Sequence, residues 1–227
     1  MQCDFIRKQT LNDKLYYNRV LMVDIRIEYP SISGYEGNTG RFNLYYRQKA
    51  RKNYRYASTK LYQDAVKQYK FAQSQGYPFN AYEFVEVFEA TYCKNSLVSL
   101  YYDIYEFTGG AHGNTTRKGN TWDMRKGEML SMGDLFAKNY DYKSVILKHV
   151  EAEARRRQIT GMATYFENME ENIRKYFDEA NFYLTEEGLA VFYPLYSISP
   201  YADGIQVFII PYLFFGENIR YDLGRRS

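Results

Sequence analysis

Cysteine and histidine are scarce in this sequence, which has two of each: Cys3, Cys93, His112 and His149. A structural zinc site takes four ligands at close spacing, mostly from these residue types, and these four positions do not provide one. We therefore predict no metal site. Cys3 lies near a chain end that we expect to fray, so we predict two free thiols. A disulfide would need the two Cα atoms within about 7 Å, which the sequence does not establish, and the compartment stays open.

Long apolar runs are missing as well. No stretch approaches the roughly 18 apolar residues of a membrane span, and the first five residues lack the basic and apolar regions of a secretory leader. We expect a soluble chain without a membrane span. Its 227 residues, 45% hydrophobic and 25% charged, are typical of a globular protein with one large domain or two small lobes.

The short motifs of common catalytic and cofactor sites are also absent. The sequence has no Gly-x-Ser-x-Gly, no phosphate-binding loop and no Gly-x-Gly-x-x-Gly, so we predict no cofactor and no catalytic residues. Only His112 and His149 could act as imidazole bases, and His149 is typical of a boundary residue on a helix. Pairs of carboxylates are expected by chance among 27 acidic residues. The absences favour a binding protein, with a hydrolase acting on wall polymers as the alternative.

Aromatic residues, in contrast, are abundant. Tyr contributes 26, Phe 15 and Trp 1. Tyrosine can bury its ring and keep its hydroxyl in water, so a tyrosine-rich rim around the core is one interpretation. The other is a recognition surface for a protein or sugar ligand, because Tyr offers a large contact area at a low entropic cost.

The spacing of apolar residues divides the chain into strands and helices. Strands are predicted at residues 19–29, 82–92, 96–107, 121–124, 128–130, 182–185, 189–193 and 205–210, and helices at 41–75, 142–158 and 164–176, with a short helix capped by Ser131. Residues 30–40 and 197–204 have the composition of loops. Because strands and helices are grouped, the predicted class is α+β: antiparallel sheets with one long N-terminal helix and two further helices packed on them, in two lobes.

The predicted helix at 41–75 carries an unbalanced charge. Its polar face has nine basic residues against Asp64 alone, whereas the whole chain has a net charge of only +3. The nine are Arg41, Arg47, Lys49, Arg51, Lys52, Arg55, Lys60, Lys67 and Lys70. We select Arg47, Arg51 and Arg55 as a candidate face for an anionic polymer; a solvated face paired with carboxylates elsewhere is the alternative. Nucleic-acid-binding motifs are missing, which disfavours nucleic acid.

A glycine-rich turn joins two predicted strands at residues 109–114. Gly109, Gly110 and Gly113 surround His112, and Asn114 closes the turn. Glycine permits positive φ values and close approach of the backbone, as a tightly folded loop requires. His112 could therefore hold the turn together, or it could face a ligand together with the amide groups of the turn.

Several of these segments carry a resemblance to a known family. The run at 105–114, Thr121-Trp122-Asp123, Gly127, the run at 181–189 and the segment from Pro200 to Tyr212 resemble the uncharacterised extracytoplasmic domain of bacterial RsiV-type anti-sigma factors. The strand, long helix and hairpin before them resemble the PdaC-type domain that commonly precedes it. The resemblance covers nearly the whole chain and implies a PdaC-like lobe at 1–107 and an RsiV-like lobe at 108–227, or one compact unit.

The resemblance also implies a location outside the cytoplasmic membrane and a binding role. RsiV members bind lysozyme and block its cleft, and other members accompany peptidoglycan deacetylase domains. The implied partners are a lysozyme-type muramidase or peptidoglycan. The implied ligand-facing residues are Gly109, Gly110, His112, Gly113 and Asn114 in the turn, and Pro200, Tyr201 and Asp203 in the later loop. We find no sigma-binding segment, signal peptide or metal-ligand spacing of a deacetylase domain in this sequence, and we therefore expect the binding module alone.

Overall fold

A computed structural model of the protein describes residues 3–34 and 37–223 and confirms the α+β class. The strands are β1 (Ile6–Tyr17), β2 (Val20–Ile32), β3 (Tyr82–Lys94), β4 (Leu97–Phe107), β5 (Asn114–Asp123), β6 (Glu128–Leu130), β7 (Phe182–Leu184), β8 (Gly188–Tyr193) and β9 (Gln206–Pro211). The α-helices are α1 (Thr39–Tyr56), α2 (Tyr62–Gln75), α3 (Tyr142–Ile159) and α4 (Met169–Lys175). Among the described residues, no helix is both long and apolar enough to cross a bilayer.

The chain begins with a hairpin whose first strand was not predicted. β1 pairs antiparallel with β2 through a tight turn at Asn18 and Arg19, whose φ values are 49° and 68°. No side chain of β1 is fully buried; each is exposed or at a boundary, so the strand lacks the strong apolar alternation that marks β2. β2 buries Val23, Ile25 and Ile27, as predicted, and continues beyond residue 29 to Ile32.

The long N-terminal helix is confirmed as a continuous helical segment. α1 leads through a π-helical turn (Ala57–Leu61) into α2, which ends at Gly76 in the left-handed conformation (φ 70°). The apolar face buries side chains at spacings of four and seven residues, namely Phe42, Tyr46, Ala50, Ala57, Leu61, Ala65 and Ala72. Helix α1 packs on β2, because small residues such as Ala50 allow the helix to approach the sheet closely.

The larger sheet has the strand order β1-β2-β3-β4-β5-β6. β2 and β3 are parallel, with Val23 opposite Tyr82, because the helical segment returns the chain to the start of the neighbouring strand. The predicted meander from β3 to β6 is confirmed. Its first turn places Asn95 and Ser96 at φ 53° and 63°, as a two-residue hairpin turn requires.

The C-terminal half contains the smaller sheet, β7-β8-β9, with a core shared by α3 and α4. Helix α3 is confirmed within one residue, and Ser131 forms the predicted capping box with Asp134, whose carboxylate accepts the Ser131 amide at 2.8 Å. Helix α4 is shorter than predicted. It covers Met169–Lys175 instead of residues 164–176 and begins after Asn168 in the left-handed conformation.

The prediction of free thiols is wrong: Cys3 and Cys93 form a disulfide, with their Cα atoms 5.5 Å apart. The chain separates into two compact units, which are described separately. The first unit contains residues 4–89 and 102–116; the second contains Cys3, residues 90–101 and residues 117–223. Both cysteines belong to the second unit. The proposed lobe boundary between residues 107 and 108 stays a prediction.

Candidate functional site

The glycine turn between β4 and β5 is fixed by two of its three glycines. Gly109 has a φ of 84°, a conformation that favours glycine, and its carbonyl accepts the Asn80 side-chain amide at 3.4 Å. At Gly113 a Cβ atom would lie 2.4 Å from the Tyr105 ring and 2.7 Å from the Glu106 carbonyl oxygen. No such obstacle exists at Gly110, where a Cβ would meet nothing within 4 Å. The packing of the turn against β4 therefore requires glycine at specific positions.

His112 lies exposed at the tip of this turn. Its Nδ1 is 2.9 Å from the carbonyl oxygen of Gly113. A carbonyl oxygen can only accept a hydrogen bond, so Nδ1 is the donor of this one. Asn114 is also exposed at the first position of β5. The turn thus holds a histidine in one orientation while leaving its ring accessible to solvent.

The second candidate segment, Pro200 to Gly204, lies in the second unit and forms a short 3-10 turn at Tyr201–Asp203. The Asp203 carboxylate accepts the Thr164 amide at 3.0 Å, so it connects this loop to the segment before α4. The Tyr201 ring lies 5.6 Å from that of Tyr196, which is 53% exposed. Tyr201 of the loop and Tyr196 before it form a pair of neighbouring rings, whereas the Asp203 carboxylate is bound to the Thr164 amide. The glycine turn belongs to the first unit, so the two segments are separate candidates.

The basic residues predicted on the polar face of the long helix have different surroundings in the structure. Helix α1 contains no acidic residue, and Arg47, Arg51 and Arg55 are exposed on successive turns with no carboxylate partner in the described part of the chain. Other members of the predicted stripe are paired: Lys60 and Lys67 lie 2.9 Å and 3.9 Å from the Asp64 carboxylate. The three arginines therefore belong to the part of the stripe whose charge is not balanced.

Lys49 is wrongly placed in that stripe, because it is buried in the first unit. Its ammonium group pairs with Glu86 and lies 3.6 Å from the centre of the Tyr102 ring. Glu86 also accepts a hydrogen bond from the Asn53 side-chain amide at 2.6 Å. Burial lowers the pKa of Lys49 and the charge of Glu86 opposes that shift. The sequence contained a signal for this cluster, since Glu86 occupies an inward position of β3 together with Tyr82 and Phe84.

The described residues contain no group of three or more His, Cys, Asp or Glu side chains that could hold a metal ion. Residues 18–115 match the family model described as deacetylase PdaC, and residues 133–213 match that of a protein family of unknown function, DUF3298. The N-terminal match agrees with the PdaC-type resemblance, whereas the RsiV-type resemblance of the C-terminal part stays a proposal. The glycine turn lies at the end of the PdaC match and the Pro200–Gly204 loop within the DUF3298 match.

Two solved structures share the fold of this chain. A DUF3298 family member from Bacteroides fragilis has a TM-score of 0.68 and 18% identity, and the alignment covers 94% of this chain and 92% of that one. A DUF3298 family protein from Pseudomonas aeruginosa has a TM-score of 0.64 and 17% identity over 97% of this chain and 98% of that one. At this identity the likeness establishes the fold alone. No curated protein matches the chain.

Proposed function

We propose that this protein is a non-enzymatic binding module that acts outside the cytoplasm on a cell-wall-associated ligand, either a lysozyme-type muramidase or a wall glycan. The glycine turn carries this proposal. It holds an exposed imidazole and an exposed amide, His112 and Asn114, on a backbone that Gly109 and Gly113 constrain. A preformed, exposed polar group binds a partner with a smaller loss of conformational entropy than a mobile one.

The disulfide supports the extracytoplasmic part of the proposal. Structural disulfides persist in oxidising compartments and are rare where thiols are kept reduced. The bond joins Cys3 to Cys93 across 90 positions of sequence, so it fixes the chain start to the hairpin turn of the second unit. A structural cross-link of this kind supports a location outside the cytoplasm.

Exposed aromatic rings support the binding part. Tyr196, which is 53% exposed, lies beside the partly buried Tyr201 in the second unit. In the first unit Tyr77 is 64% exposed. Tyrosine is enriched at interfaces because its ring buries a large area and its hydroxyl forms a hydrogen bond, for proteins and sugars alike.

Calorimetric titration tests the proposal with a lysozyme panel and soluble muropeptides as probes. We expect saturable binding of one probe class, and we expect His112→Ala to weaken it at least tenfold, or about 1.4 kcal/mol. The matched control is His149→Ala, which removes the other histidine, whose ring packs 5.0 Å from that of Phe214. No binding of any probe at high micromolar concentration would refute the proposal. Turnover of peptidoglycan that disappears in His112→Ala would replace it with the hydrolase alternative.

A second candidate function is the binding of an anionic polymer by α1. The observation in its favour is the set of three exposed arginines, Arg47, Arg51 and Arg55, without a carboxylate partner among the described residues. Like charges one helical turn apart repel each other, and a polyanion would relieve that repulsion.

A further inference from the structure

A pocket of about 540 Å³ lies in the second unit. It is lined by Gly119 of β5, Met129 and Leu130 of β6, the segment Ser131–Gly133, Tyr142 of α3, and Glu179, Ala180 and Phe182 at the start of β7. The volume lies within the range of small-molecule sites, and most of the lining residues are apolar or are glycines. None of the residues proposed above as ligand-facing belongs to this lining.

The polar side chains in the lining present acceptors. The Tyr142 hydroxyl donates its proton to Glu179, and the Ser131 hydroxyl donates its proton to Asp134 at 2.6 Å. Each hydroxyl oxygen therefore keeps only lone pairs for a ligand. The Glu179 carboxylate also accepts from Lys143 at 2.7 Å, and each of its oxygens has a second lone pair. A ligand that enters the pocket meets oxygen acceptors and needs donors of its own.

The charge state of these groups is fixed at neutral pH. Hydrogen bonds from Lys143 and then Tyr142 lower the pKa of Glu179, so its carboxylate is ionised. Burial and the bond to Glu179 raise the pKa of Tyr142 to about 12, so its hydroxyl keeps the proton that it donates. The Tyr142 ring stacks on Phe136 with centroids 4.6 Å apart and planes 12° apart, which holds the hydroxyl in position.

Together these observations point to a specific ligand class. We infer that the pocket between β6, the start of α3 and the start of β7 binds a small organic amine, whose ammonium group donates to Glu179 and whose apolar part packs on Met129 and Leu130. Methionine suits such a wall because its thioether is flexible and polarisable. An organic carboxylate has no donor for these acceptors.

Nuclear magnetic resonance of ¹³C-labelled methionine methyl groups tests this inference on the whole chain. The probes are phenethylamine and phenylacetate, which share an aromatic ring and differ in the charged group. We expect phenethylamine to shift the Met129 signal saturably at concentrations below about 10 mM, a range in which a Kd near 1 mM can be detected. We expect phenylacetate to bind at least tenfold more weakly. Met162, which is 67% exposed elsewhere in the second unit, and the buried Met22 serve as internal controls.

Two variants separate the contributions of charge and shape. Glu179→Gln should weaken phenethylamine binding at least tenfold, whereas Glu187→Gln, at an exposed turn outside the pocket, should not change it. Gly133→Ala places a Cβ atom 3.2 Å from the Tyr142 hydroxyl oxygen and should weaken binding by narrowing the pocket. The inference is overturned if Met129 does not shift, if both probes bind equally, if Met162 shifts together with Met129, or if neither variant weakens binding.

Discussion

Two glycines in one turn differ in what their neighbours allow. A Cβ atom at Gly113 would overlap the Tyr105 ring and the Glu106 carbonyl, whereas one at Gly110 would point into open space. We expect Gly113→Ala to lower the free energy of unfolding by about 1–3 kcal/mol, because the backbone of β4 must move. Gly110→Ala is the matched control and should change it by less than about 0.5 kcal/mol. Denaturant unfolding of both variants measures the difference, and equal stabilities would contradict it.

The buried ion pair of the first unit is the other residue-scale feature with a large energetic consequence. Lys49 and Glu86 have side chains that are 14% and 3% exposed. Lys49→Met leaves the Glu86 charge buried without its cation, and we expect a loss of about 3–5 kcal/mol of stability.

The double variant Lys49→Met with Glu86→Leu is expected to be more stable than Lys49→Met alone, because it leaves no uncompensated charge. Thermal or denaturant unfolding of Lys49→Met, Glu86→Leu and the double variant measures their stabilities. If the stability losses of the two single variants add up to that of the double variant, the pair does not interact in the folded state.

At the scale of elements, the unbalanced face of α1 gives a prediction about polymer binding. Arg47→Gln, Arg51→Gln and Arg55→Gln together should weaken binding of polyphosphate and reduce the slope of log K against log salt by about one per arginine that contacts phosphate. The matched control replaces three lysines that already have carboxylate partners, Lys8, Lys14 and Lys60. An equal effect of the two triple variants would mean that net charge, and not this face, determines binding.

The α1–α2 segment shows which features of a helix the local sequence pattern predicts and which it does not. The absence of Pro and Gly between residues 41 and 75 was enough to predict the α1–α2 segment. Its π-helical turn was not predicted; there the Thr59 and Ser58 hydroxyls donate to the Arg55 carbonyl at 2.6 Å and 3.4 Å. Such bonds compete with the α-helical pattern.

Helix α4 is shorter than its apolar spacing indicates, because tertiary bonds hold the preceding residues in another conformation. The Thr164 amide donates to Asp203 and the Phe166 amide to the Ile198 carbonyl at 3.1 Å. Amides bound to distant partners cannot enter the helical pattern, and the helix begins only after Asn168.

At the scale of the whole molecule, the disulfide gives a prediction about stability. Reduction, or Cys93→Ser, should lower the free energy of unfolding by about 2–4 kcal/mol, since the cross-link limits the unfolded chain. Unfolding with and without a reductant measures this. Cys93→Ser itself serves as the control, because a reductant should not change its stability. Equal stability of the oxidised and reduced protein would argue against a structural role and against the extracytoplasmic location that it supports.

The sequence by itself determined the α+β class, the long helix, the meander and the capping box at Ser131, because each depends on residues close together along the chain. It also identified the glycine turn, and the positions of Gly109 and Gly113 gave a physical reason for it. Only the tertiary structure decided that Cys3 meets Cys93, that Lys49 turns inward to Glu86 and that Tyr142 and Glu179 share a pocket. These pairs lie 37 to 90 positions apart, and their meeting depends on how whole strands and helices pack.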